Sequence, residues 1–72
     1  MGLVKKSFTL HGHRTSIALE REFWEALQLM ASARTCALSA LITQIDGTRQ
    51  EAPLASSLRI AALSHFRQSE KR

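Results

Sequence analysis

The sequence predicts a mainly α domain in which one short β-strand precedes three helices and two copies share a core. Three observations carry that expectation. The chain has 72 residues and a single cysteine, so its core is thin and no internal disulfide can brace it. Its apolar residues recur at every second position around residues 13–19, then at every third or fourth position from Glu20 onward. The one clear strand has no obvious partner, and an unpaired strand edge invites a second chain.

The elements follow from these periods. Residues 1–12 form a basic arm, extended where Phe8 and Leu10 alternate with Ser7 and Thr9, and broken at Gly12. In "RTSIAL" Thr15, Ile17 and Leu19 point one way, and Arg14, Ser16 and Ala18 the other. "EREFWEALQLMASAR" puts Phe23, Leu27, Met30 and Ala31 on one face of a helix over Arg21 to Arg34, with Trp24 on its flank. Glu20 and Glu22 suit the positive end of that helix, and Arg34 its negative end. After "TCA" a second helix runs from about Leu38 to Ile45, with Leu38, Leu41, Ile42 and Ile45 in register, and Asp46-Gly47 stops it. Pro53 opens a third helix to Arg67, apolar on most sides and therefore expected at a subunit contact. Residues 68–72 read as a solvated tail, so the folded part is expected to span residues 13–67.

Two pairings could satisfy the strand. "SFTL" could turn at His11-Gly12 and pair with "RTSIAL", setting Phe8 across from Thr15. Alternatively the strand meets its two-fold copy in an intermolecular antiparallel ribbon. The second is favoured because a core this small lacks other support and gains it from a second copy.

Ten Lys and Arg against six Asp and Glu give a net charge of +4, and two copies carry +8. Lys5, Lys6 and Arg14 all precede the first acid, Glu20, so the N-terminal segment is uniformly positive and favours a polyanionic partner. No apolar run approaches the roughly 20 residues that a membrane span needs, and no secretory leader is visible, so a cytoplasmic protein without a membrane partner is expected. His11 and His13 share a face of an extended strand, but only His65 and Cys36 could complete a metal site, so neither metal nor other cofactor is expected. No catalytic Ser-His-Asp spacing, carboxylate pair or phosphate-cradling Gly loop is present, which argues against an enzyme.

Together "GHRTSIALEREFWEAL", "ALSALITQID" and "SSLRIAALSHFR" resemble the ribbon-helix-helix domain, in particular a compact bacterial subfamily with an extra C-terminal helix. The resemblance covers about residues 5–67 and implies a homodimer whose two strands enter the major groove of double-stranded DNA, as in a transcription regulator. It implies that Arg14, Ser16 and Ala18 face the bases. Lys5, Lys6 and His13, with the start of the second helix at Ala37, Leu38 and Ser39, would hold phosphates. Thr15, Ile17, Leu19, Phe23, Leu27, Leu41, Ile42 and Ile45 would form the dimer core. The same fold also serves as a protein-interaction module, such as the dimeric half of an antitoxin, and in DNA segregation or packaging factors. Two departures stand out: Thr35 where the family often has Gly, and Ala37 where it often has a Ser or Thr cap.

Overall fold

The computed structural model describes residues 2–70. Strand β1 (Val4–Leu10) and strand β2 (His13–Leu19) precede helices α1 (Arg21–Ala33), α2 (Leu38–Thr48) and α3 (Leu54–Glu70). The strands form a two-stranded antiparallel sheet within one chain, with Phe8 opposite Thr15. This corrects the expected single strand: "KKSFTL" of the same molecule pairs with "RTSIAL" along one of its edges, and most of the basic arm is a strand. The turn explains why. His11 and Gly12 both have positive φ, 51° and 80°, the mark of a type I′ turn. Its twist matches that of the flanking strands, so two residues suffice to reverse the chain.

One layer of helices packs beneath the hairpin. Leu10, Ile17 and Leu19 from the sheet meet Trp24, Leu27, Met30 and Ala31 of α1, Leu41 and Ile42 of α2, and Leu58 and Ala62 of α3. Of the residues expected in a dimer core, Ile17, Leu19, Leu27, Leu41 and Ile42 are therefore buried within one chain, while Thr15, Phe23 and Ile45 are half-buried. Trp24 and Phe23 exchange the places assigned by periodicity. Trp24 is buried at 4% exposure, and its indole Nε1–H donates to the Val4 carbonyl at 2.8 Å, tying β1 to α1. Phe23 lies at the side, beneath the Arg59 guanidinium at 5.8 Å.

Helix ends also depart from the sequence reading. Gly47 lies inside α2, and the left-handed residue beyond that helix is Gln50, φ 57°. Arg49 binds both the Asp46 carboxylate and the Ala52 carbonyl, which fixes the turn without glycine. Glu20 opens α1 without capping it by its side chain. Its carboxylate instead accepts from Arg59 Nε at 3.0 Å, joining α3 to the start of α1. That hydrogen bond holds the Glu20 carboxyl below its ordinary pKa. Helix α3 continues past Arg67 to Glu70, so part of the expected tail is helical, and residues 71–72 lie outside the described residues. Only one side of α3 is buried: Ile60 and Leu63 are largely exposed, and Phe66 is at the boundary.

Candidate nucleic-acid interface

The sheet has two chemically different faces. Because a two-residue type I′ turn joins the strands, the flanking pair Leu10–His13 exchanges both backbone hydrogen bonds, and pair types alternate from there. Thr9–Arg14, Ser7–Ser16 and Lys5–Ala18 are then the non-hydrogen-bonded pairs, whose side chains approach most closely. All three point away from the helices. Two contacts follow directly: Arg14 Nη1 donates to Thr9 Oγ1 at 3.2 Å, and the Ser7 and Ser16 hydroxyls lie 3.1 Å apart. Phe8, Leu10, Thr15, Ile17 and Leu19 occupy the opposite face, over the core.

The outer face therefore combines two cations, three hydroxyls and one methyl, with no acid anywhere along residues 4–19. It includes Arg14, Ser16 and Ala18, as the strand alternation of β2 requires. It also brings Lys5 onto the same face, directly across from Ala18. Ser7 and Thr9 were missed as site residues. Their alternation with Phe8 and Leu10 was legible, but treating β1 as an arm left their facing unassigned.

Lys6 is separated from Lys5 by the pleat. Its ammonium sits 5.6 Å from the centre of the Trp24 ring, a cation–π arrangement at the sheet edge. A cleft of about 350 Å³ opens there, lined by Lys6, Arg21, Trp24, Glu25 and Leu38, among others. Leu38 is the first residue of α2, so Lys6 and that helix start border one opening. Arg21 and Glu25 face each other across 3.9 Å on its rim.

The start of α2 is open. Helix α1 ends in a Schellman turn, in which Cys36 N–H donates to the Ala31 carbonyl and Thr35 N–H to that of Ser32. Thr35 takes the left-handed position there, φ 52°, where glycine would be cheaper by about 1 kcal/mol. Ala37 follows as N-cap and contributes no side-chain hydrogen bond, and no acid occupies the first turn of α2. The first intrahelical bond runs from Leu41 N–H to the Ala37 carbonyl, leaving the Leu38, Ser39 and Ala40 amides without helical acceptors. Such amides and the helix dipole favour an anion. The Ser39 carbonyl accepts from Thr43 Oγ1 at 2.8 Å, and its residue is exposed.

The histidines do not converge. His13 is exposed at the turn end of the ribbon, away from Lys5. His11 reaches to Asp46 of α2, with Nε2 3.4 Å from the carboxylate. Among the described residues no three His, Cys, Asp or Glu side chains gather as a metal site would need. No single helix among them is long and apolar enough to cross a membrane.

Comparison with known families matches residues 3–66 to the ribbon-helix-helix domain. Comparison with curated proteins and with solved structures returns no match.

Proposed function

Since the chain belongs to the ribbon-helix-helix domain family, whose members are generally DNA-binding regulators or antitoxins, we propose that it binds double-stranded DNA sequence-selectively, as a transcription regulator of the bacterial cytoplasm. The hairpin lies in the major groove, which admits a two-stranded ribbon. The observation that carries this reading is the outer face of the sheet, which is basic, hydroxylated and free of acids. Arg14 is its long donor and can form two parallel hydrogen bonds to guanine O6 and N7. Ser16 donates or accepts, and Ala18 fits a thymine methyl. Lys5, Lys6 and His13 meet phosphates, as do the backbone amides opened by Ala37 at Leu38 and Ser39. This arrangement needs no metal, cofactor or catalytic group.

The experiment is a selection from randomised duplexes followed by fluorescence anisotropy on the enriched sequence. Arg14→Ala is expected to cost about 1–3 kcal/mol there and to relax the preference at one base pair. Equal loss on selected and random duplexes would reassign Arg14 to the phosphates. Absence of binding to any duplex would remove the reading altogether.

The working unit is a homodimer, and the pairing surface is helical. Leu29 of α1, with Ile60 and Leu63 of α3, is more than half exposed, and Phe66 borders them in sequence. Leu63→Glu is expected to convert dimer to monomer in sedimentation velocity with the circular dichroism of the fold unchanged. A parent protein that sediments as a monomer at all concentrations would refute the homodimer. In that case the exposed side of α3, with Ile60 and Leu63, favours an unrelated protein partner, as in an antitoxin.

A further inference from the structure

The cleft beside Trp24 is larger and more apolar than a phosphate needs. Its volume of about 350 Å³ falls at the lower end of the range for small-molecule sites. Val4, Trp24 and Leu38 form its apolar walls, and Lys6, Arg21 and Glu25 its charged rim. Val4 is 39% exposed and Leu38 half-buried, so these two supply the open apolar surface, with the buried indole behind them. We propose that this cleft is an effector site for a small aromatic carboxylate, and that its occupant withdraws Lys6 and the start of α2 from DNA. The withdrawal rests on the DNA-binding reading above; the site itself does not.

The charges set the sign and the orientation of the ligand. Among the described residues no carboxylate pairs with Lys6, whose ammonium rests 5.6 Å from the centre of the Trp24 ring. Arg21 and Glu25 are 3.9 Å apart and both largely exposed. Such a pair is weak and solvated, which leaves the guanidinium able to turn into the cleft. Two cations against one acid favour an anion. Arg21 and Val4 also border a smaller cleft of about 210 Å³ that contains Glu22, so the acids gather at the Arg21 end. The anionic group therefore belongs at the other end, beside Lys6 and Leu38. An inorganic anion would leave Val4 and Leu38 in contact with water. An apolar ring covers them and gains affinity from that burial. Cations beside apolar walls favour an aromatic face over an aliphatic chain. Lys6 and the first amides of α2 are also the groups that the DNA-binding reading gives to phosphates. One anion excludes the other there, so an occupied cleft lowers DNA affinity by mass action.

Trp24 is the only tryptophan of the chain, so its fluorescence reports on the cleft directly. The full chain is titrated with phenylacetate at constant ionic strength. Acetate supplies the same charge without the ring, and phenethyl alcohol the same ring without the charge. The expected result is a saturable change at millimolar phenylacetate, as suits a ligand of about ten non-hydrogen atoms, with both controls about tenfold weaker or more. Lys6→Met keeps the apolar stem and is expected to weaken the response about tenfold. Arg21→Gln is expected to weaken it about two- to fivefold. Circular dichroism checks that each variant is folded. On a duplex, phenylacetate at about ten times its half-saturating concentration is expected to lower affinity about tenfold beyond an equal concentration of sodium chloride. The site is overturned by the absence of a saturable change, by an equal response to acetate or to phenethyl alcohol, or by a folded Lys6→Met or Arg21→Gln variant that responds like the parent. Unchanged duplex affinity at a saturated Trp24 response would overturn the competition. A parent chain that binds no duplex defeats the DNA-binding reading and the competition with it, while the fluorescence still decides the site.

Discussion

Trp24→Ala is expected to cost about 3–5 kcal/mol of folding stability, the range for truncating a large buried aromatic. The side chain does three jobs from one position. Its ring is buried at 4% exposure among the core residues. It packs near Phe8, and its Nε1–H donates to the Val4 carbonyl at 2.8 Å, joining β1 to α1. Lys6 lies over the same ring. A chain of 72 residues has a total stability of roughly 4–11 kcal/mol, so the loss is a large part of the total and unfolds the alanine variant if the parent lies at the low end. Urea denaturation followed by far-ultraviolet circular dichroism measures the loss. Trp24→Phe keeps most of the ring and removes the hydrogen bond, and should cost about 1–2 kcal/mol. An alanine variant within measurement error of the parent would mean that β1 is not secured through this residue.

Duplex binding is expected to weaken steeply with salt, on the order of 10²-fold between 50 and 200 mM. The slope of log affinity against log salt is about −0.9 for each phosphate neutralised. With Lys5 and Lys6 engaged in each of two chains, a slope near −3.6 follows, which over a fourfold change in salt gives roughly 150-fold. Lys6→Ala should make the slope shallower by about 0.9 for each chain and weaken all sequences alike. This also tests its location, because Lys6 lies at the cleft shared with the α2 start and away from the base-facing side chains. A slope near zero would show that apolar contact or hydrogen bonding dominates, and would contradict a phosphate role for both lysines.

The site was partly legible before any coordinates. The alternation of Arg14, Ser16 and Ala18 with Thr15, Ile17 and Leu19 fixes which side chains leave the sheet together, because successive strand residues point to opposite faces. The absence of acids before Glu20 is equally plain in the sequence. The facing of Ser7 and Thr9 needed the register of β1 against β2, and register is set by the turn and by burial. The exchange of Trp24 and Phe23 has a similar origin. Both lie near the apolar stripe of α1, and the position of the hairpin on that helix decides which of them is covered. Gly47 misled because glycine permits a left-handed helix end without requiring one; here Asp46, Arg49 and Ala52 make the turn with Gln50 instead.

By itself the sequence determined the family, the polarity of β2, the run of three helices and the positive charge ahead of Glu20. These depend on period, composition and neighbouring residues, all of which are local. Only the tertiary structure decided that the strand pairs within its own chain, that Lys5 and Lys6 part to different surfaces, and that α3 covers the core with one side while Ile60 and Leu63 face outward. Each of these is a choice between arrangements that the same periodicity allows. The choice falls to contacts between residues distant in sequence: Trp24 with Val4, His11 with Asp46, and Arg59 with Glu20.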